Sequence, residues 1–408
     1  MENRSGKTGL WLIGACGGVG STVALGLAAL RRNLIPETGL VMSLPAFQDA
    51  DLIDVNSMVV GGHEVRQVNM MDAVREMHAE AGVFRPEWID GCASELRAVQ
   101  RNIRPGTLYG ASRAVRALVE KEAPATPARK EDTPRKAIAR IAADIAAFRR
   151  RHRLGRVIVV NVASSEPPIK RLVAHDRWSR LERELTRRHS QVVPTSAVYA
   201  LAAFEAHCSF INFTPSPALS IPAVRERADE LGLPYMGNDG KTGETLVKSV
   251  LAPMFAMRHL RVLSWVGQNV LGNRDGAVLS DPSTQVSKIR SKDGLVARIV
   301  GGRPMTHVSI DYVPSLHDWK IAWDLIHFEG FLGTKMTMQF TWQGCDSALA
   351  APLVIDLARL ADREHRLGRK GPMPHLSFFF KDPINAERHD LAGQWTRLVE
   401  HVRAAPRT

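Results

Sequence analysis

The feature that most restricts the fold lies at the start of the chain. An apolar run from Gly9 to Ile13 meets a glycine cluster, Gly14, Gly17, Gly18 and Gly20, and passes directly into the helical stretch STVALGLAALRR. Strand, glycine turn and helix in that order let main-chain amides approach a pyrophosphate, with the favourable dipole of a helix amino terminus behind them. Gly14, Gly17, Gly18, Val19, Gly20 and Ser21 are therefore the candidate dinucleotide contacts. A glycine cluster alone also fits a purely structural turn, and its position between strand and helix is what favours dinucleotide binding. The acidic ribose partner expected about 20 residues further on has no clean candidate at the end of an obvious second strand.

The alternation continues. Leu40 to Gly62 reads as loop, whereas 68–81 and 87–102 have helical periodicity. A Pro- and charge-rich stretch, 122–136, reads as an exposed loop before a basic helix over 136–154. Arg156 to Val162 is an apolar β-branched run suited to the centre of a parallel sheet, and Ser209 to Phe213 is a further strand ahead of the helix AVRERADELG. Repeated βα units predict an α/β, Rossmann-like doubly wound parallel sheet with its ligand site at the carboxyl ends of the strands. Beyond about residue 245 the runs HVSIDYVPS and KMTMQFTWQ alternate with period two, which predicts an inserted α+β domain with a more antiparallel sheet. The expected division is 1–244 for the dinucleotide domain, 245–350 for the insertion, and 351–408 returning to the first domain.

Composition narrows the class. At 408 residues the chain exceeds the roughly 250–300 at which single cores stop growing. The amino terminus lacks the apolar core of a signal peptide, and no stretch approaches about 18 uninterrupted apolar residues, so no membrane span is expected. Cys16, Cys92, Cys208 and Cys345 are far apart and form no CxxC pair, which argues against a structural metal or disulfides and for the reducing cytoplasm. The net charge of +12 admits nucleic acid, anionic membranes or phosphorylated small molecules as partners. Much of the excess is arginine within 97–190, which reads as solvated faces of basic helices; with no nucleic-acid module beside it, no nucleic-acid partner is expected.

Lysines and aspartates gather in the loops of the second half: GNDGKTGET (237–245), LGNRDG (271–276), SKIRSK (287–292), HDWK (317–320), CDSALA (345–350) and FFFKDP (378–383). Singly, each lysine reads as a solvated side chain and each glycine-flanked aspartate as a turn former. Lys288 and Lys292, four apart, would share a helix face. Lys241 and Lys248 fit a capped helix start as readily as a ligand loop.

In this order the segments resemble the inositol-1-phosphate (inositol-3-phosphate) synthase family of bacterial type, over nearly the whole chain. GACGGVGST resembles its glycine loop, VNVASSEPP (160–168) its second nucleotide loop and INFTPS (211–216) its phosphate-side loop. The run from GNDGKTGETLVKSVLAP through LGNRDGAVLSDPSTQVSKIRSK is the most extended match. The resemblance implies conversion of glucose 6-phosphate, or a related hexose phosphate, into 1D-myo-inositol 3-phosphate. Bound NAD oxidises C5, the substrate enolises and closes by intramolecular aldol attack, and the same cofactor reduces the ketone.

By resemblance, Lys288, Lys292, Lys320, Lys381, Asp275 and Asp346 are catalytic. Ser164, Ser165 and Asp239 join the glycine loop around the cofactor, and Asn212, Thr214, Leu271, Lys292 and Lys320 hold the substrate. Such chemistry needs a base and cations beside developing oxyanions, tasks that crowded lysines perform. A homotetramer is implied, no metal ligand set is expected, and a monovalent or divalent cation beside NAD is left open. Departures from the family pattern are Cys16 where glycine is usual, Asn238 in place of aspartate, and Glu64 where a shorter acid is expected. The residues also leave open a diverged enzyme making another cyclitol phosphate, a simple dehydrogenase, and a non-catalytic NAD- or phosphate-binding protein.

Overall fold

The described residues form these strands in chain order: β1 Thr8–Ile13, β2 Met58–Glu64, β3 Ile103–Pro105, β4 Arg156–Asn161, β5 Ser209–Asn212, β6 Pro234–Gly237, β7 Arg261–Leu271, β8 Met305–Tyr312, β9 Trp319–Glu329, β10 Lys335–Cys345 and β11 Gly371–Pro372. The computed structural model describes residues 6–122, 131–188, 190–302 and 304–404, without the side chains of Glu122, Gln285 and 287–293. The exposed loop expected over 122–136 therefore falls mostly outside the described residues.

Seven strands form one parallel sheet in the order β11-β6-β5-β4-β1-β2-β3. This is the doubly wound arrangement expected. The chain reverses direction between β1 and β4, and right-handed crossovers then place the two sets of helices on opposite faces. Gly18–Arg31 packs against Asp346–Arg366, while Pro134–His152, Thr195–Glu205 and Pro222–Glu230 pack together. Burial on both faces explains why β1 and β5 are buried at every position and read as continuous apolar runs rather than alternating ones.

The expected loop from Leu40 to Gly62 is corrected: β2 occupies its end. Its sequence MVVGGHE, with two glycines and a buried histidine, conceals the strand from a pattern search. Glycine is required there by close packing, since a Cβ on Gly62 would lie 2.2 Å from the Leu12 carbonyl oxygen. The histidine is satisfied within the core. Trp11 Nε1 donates to His63 Nδ1 at 2.9 Å, and His63 Nε2 stands 3.1 Å from Asp144. Burial lowers the His63 pKa, so the ring is neutral with its proton on Nε2. The helix expected over 87–102 is two, Pro86–Gly91 and Ala93–Gln100.

Between β6 and β11 the chain builds a four-stranded sheet, order β10-β9-β7-β8, antiparallel except for β7 with β8. Helices Glu244–Met257 and Pro282–Val300 cover one face around Phe255, Trp265, Ile326 and Phe328. Trp323 and Met336 remain exposed on this sheet. Helix Asp346–Arg366 then leads back to the large sheet. Among the described residues no helix is long and apolar enough to cross a membrane.

Candidate active site

The carboxyl ends of β1, β2, β4, β5 and β6 share one edge of the large sheet, and the end of β7 and start of β9 meet that edge. Between them lies a cavity of about 640 Å³. Gly14, Gly17, Gly18, Val19, Ser164, Ser165, Thr214, Asp239, Asp275, Lys320, Asp346 and Lys381 all line it.

The glycine loop is drawn tightly over β1. Gly14 has φ +84°, and its N–H and that of Ala15 both donate to the His63 carbonyl. A Cβ on Gly18 would meet Ser347 Oγ at 2.6 Å, and one on Gly20 would lie 2.4 Å from the Ala15 carbonyl oxygen. The loop therefore leaves bare backbone at the cavity and starts helix Gly18–Arg31 there, the geometry a pyrophosphate requires. Gly20 and Ser21 sit behind the wall: Gly20 is where helix and loop touch, and Ser21 Oγ donates back to the Gly17 carbonyl at 2.9 Å.

Cys16 does not intrude. Its φ is not positive, its thiol is buried in the core, and its N–H donates to Glu64 Oε2 at 2.9 Å. Burial and the neighbouring Glu64 push the thiol pKa up, keeping it protonated. Glu64 closes β2, so the acid missing from the sequence pattern is present at the end of the second strand, about twice as far along the chain as the usual spacing. Resemblance alone had pointed to Glu64, because the strand that carries it was not legible.

Three segments beside the cavity are zipped together by main-chain bonds. Asp239 N–H donates to the Thr214 carbonyl, Gly240 N–H to Phe213 and Lys381 N–H to Asp239, while Asn238 and Asp382 exchange bonds. Lys381 and Asp239 thereby face each other as a buried ion pair, Nζ to Oδ1 2.9 Å. Below them Asn212 Nδ2 donates to the Ser216 carbonyl at 2.7 Å and to Asn238 Oδ1 at 2.8 Å, and Thr214 Oγ1 donates to Asn212 Oδ1 at 3.0 Å. Asn212 is thus a buried support for Thr214, and Asn238 is absorbed in the same network rather than in the cavity wall. Leu271 is buried with Leu279 and Ile310, also off the wall.

Asp275 Oδ1 accepts from the Ser165 N–H at 3.0 Å, joining the two halves of the cavity. Asp346 opens helix Asp346–Arg366, and Lys320, on β9, is buried. Lys288 and Lys292 belong to helix Pro282–Val300, and their side chains lie outside the described residues. Lys241 and Lys248 are placed apart from the cavity wall. Lys241 donates to Gln394, and burial lowers its ammonium to about 7; Lys248 pairs with Glu244 at 2.5 Å under the mixed sheet.

One residue of the HDWK segment escaped the sequence reading. Asp318 accepts from Ser347 N and Oγ at 2.9 Å each, from the Cys345 thiol at 3.0 Å and from Asn273 Nδ2 at 3.3 Å. Burial raises its pKa. It ties together the starts of β9 and of helix Asp346–Arg366 and the cap of helix Arg274–Leu279, and so fixes Lys320, Asp346 and Asp275 relative to one another. Its signal was a polar residue immediately ahead of an alternating strand.

Away from the cavity, Glu364, His375 and His401 cluster. The imidazoles stack at 3.5 Å and 6°, their ligand atoms lie within 4.8 Å of one another and of the carboxylate, and Arg363 donates to Glu364 at 3.0 Å. Through His401 Nε2, 3.1 Å from Glu364, the cluster ties the last helix, Leu391–Ala404, to helix Asp346–Arg366.

A doubly wound sheet, a bare glycine loop at its switch point and buried lysines and aspartates across the cavity define a dinucleotide-dependent enzyme acting on an anionic or oxygen-rich substrate. The family model for myo-inositol-1-phosphate synthase, an NAD-binding family, matches residues 8–403, and the chain belongs to that family. Inositol-3-phosphate synthase 1 of Bacteroides thetaiotaomicron is 31% identical over 426 residues, covering 99% of this chain and 96% of that protein. The Brassica napus inositol-3-phosphate synthase is 27% identical, covering 90% and 76%. In fold the chain is similar to the Caenorhabditis elegans inositol-3-phosphate synthase, with TM-score 0.88, 24% identity and coverage of 98% and 85%.

Proposed function

We propose that this chain converts glucose 6-phosphate into 1D-myo-inositol 3-phosphate with NAD that is regenerated in each turnover. The observation that carries the reading is the pair of buried lysines, Lys320 and Lys381, in the same cavity as the glycine loop. A simple dehydrogenase needs one base near the cofactor, whereas enolisation and aldol closure also need fixed cations beside successive oxyanions. The cofactor, when bound, supplies reversible hydride acceptance.

The protein's own groups do the rest. Lys381, held by Asp239, stands for the C1 oxygen; Lys320 and Lys292 for substrate oxygens or phosphate; and Lys288 for the proton at O5. Thr214 supplies a phosphate donor supported by Asn212. Asp275 and Asp346 orient the ammonium groups, and Asp318 holds both carboxylates in register. A cation that partly neutralises the pyrophosphate would be held near Asp318 and Asp346, beside Gly18. The division at 244 and 350 is supported by the chain leaving the large sheet after β6 and coming back to it through helix Asp346–Arg366. The exposed tryptophan-bearing face of the mixed sheet supports a homotetramer.

The test incubates the protein with glucose 6-phosphate and NAD, following absorbance for NADH and phosphorus and carbon NMR for product. Inositol phosphate without NADH accumulation, lost in Lys381→Ala, is expected. Stoichiometric NADH, or no turnover of any hexose phosphate, overturns the proposal; a different cyclitol phosphate transfers it to a diverged synthase.

A further inference from the structure

Strand β2 ends at Glu64, beside β1 in parallel register. In doubly wound dinucleotide folds this is where the adenosine ribose lies: an acid there takes the 2′-hydroxyl of NAD, and an arginine nearby accepts the 2′-phosphate of NADP. This chain has both. Glu64 is followed two residues later by Arg66, and both side chains reach the cavity.

The two are held very differently. Glu64 is fixed by main-chain donors alone, Oε1 accepting from Val65 and Arg66 at 2.8 and 3.0 Å and Oε2 from Cys16 at 2.9 Å. Arg66 reaches the glycine loop at the Cys16 carbonyl, 3.4 Å away, and a second carboxylate, Glu76 Oε2, at 3.3 Å. Glu76 comes from helix Met70–Ala81 and stays outside the cavity wall. Its other oxygen takes Arg274, the residue before Asp275. Arg66 therefore approaches the ribose end as a cation already matched by a carboxylate behind it.

We propose that Glu76 is a specificity-determining residue that restricts the chain to NAD: by occupying Arg66 it holds shut a site otherwise built for a 2′-phosphate. An arginine is always charged and suits a phosphate dianion well. With Glu76 shared between Arg66 and Arg274 and Glu64 fixed beside Arg66, a 2′-phosphate meets guanidinium groups whose charge two carboxylates already balance. Removing the Glu76 charge reverses that balance without touching the loop that holds the pyrophosphate. The inference rests on the cavity holding the dinucleotide with its adenosine end at β2.

The test is binding rather than turnover. Dissociation constants for NADH and NADPH are measured by nicotinamide fluorescence on the wild-type chain, on Glu76→Gln and on Glu76→Gln/Arg66→Leu. Wild type is expected to prefer NADH. Glu76→Gln should tighten NADPH about tenfold or more while NADH stays within about twofold, a gain that weakens with salt and vanishes in the double variant. Arg66→Leu alone, an independent check should Glu76→Gln not fold, should weaken residual NADPH binding about tenfold more than it weakens NADH; equal loss of both overturns the proposal. Equal changes for both nucleotides, or a gain that survives Arg66→Leu, overturn the role of Glu76. Failure of the wild-type chain to bind either nucleotide overturns the dinucleotide reading itself.

Discussion

Gly20 and Gly26 lie on the same helix and differ only in what surrounds them. A Cβ at Gly20 falls 2.4 Å from the Ala15 carbonyl oxygen and 2.7 Å from both the Ala15 carbonyl carbon and the Gly14 oxygen, all main-chain atoms of the loop. At Gly26 a Cβ meets nothing within 4 Å. Replacing an interior helical glycine by alanine stabilises by about 0.5–1 kcal/mol where there is room. Gly26→Ala should show that gain. Gly20→Ala has the same propensity gain but must push the loop by about 1 Å to restore van der Waals distance, and overpacking of this kind costs about 1–3 kcal/mol. The net expectation is a loss of up to about 2 kcal/mol in stability. NADH affinity should fall by tenfold or more, because the displaced atoms belong to the loop that lines the cavity. Urea unfolding followed by circular dichroism gives the first quantity and nicotinamide fluorescence the second. If Gly20→Ala binds NADH like the wild type and unfolds with Gly26→Ala, the loop does not require a bare position there and the close-packing argument is refuted.

Cys16→Ala should leave NADH affinity within about twofold, because the thiol is buried in the core and the contacts of Cys16 with Glu64 and Arg66 are made by its main chain; equilibrium binding decides, and a tenfold change would show that the side chain reaches the cofactor. Asp318→Asn puts an amide where a carboxylate receives several donors, and the mismatch should cost about 1–3 kcal/mol by urea unfolding and lower kcat with little change in KM. Stability should also fall with acid through the His375–His401 stack. Burial, and the charge of His401, push His375 down to about 3. A folded-state pKa below the unfolded value of 6.5 means stability present above pH 6.5 and lost as pH falls toward 3, by up to roughly 1.4 kcal/mol per unit. The difference between wild type and His375→Gln isolates this slope, and an identical pH dependence for the two would remove His375 from the account.

Local pattern carried the parts of the fold that depend on neighbours in sequence. The strand, glycine turn and helix from Thr8 to Arg31 were legible because each residue's role is set within a few positions. The same holds for β4 and β5, whose burial on both faces leaves an unbroken apolar run. β2 was not legible, since its glycines answer to the Leu12 backbone and the Trp11 ring of the adjacent strand, and its histidine to Asp144 eighty-one residues away. With β2 hidden, Glu64 rested on resemblance to the family alone.

The sequence by itself determined the dinucleotide loop and the parallel α/β class, because residue type and short-range periodicity suffice for those, whereas its lysines and aspartates were singled out by resemblance to a family. Only the tertiary structure decided which of them meet. The facing of Lys381 and Asp239 depends on main-chain bonds among three distant segments, and the register of Lys320, Asp346 and Asp275 depends on Asp318. Such contacts are properties of surfaces brought together by the packing of two sheets, and no one segment encodes them.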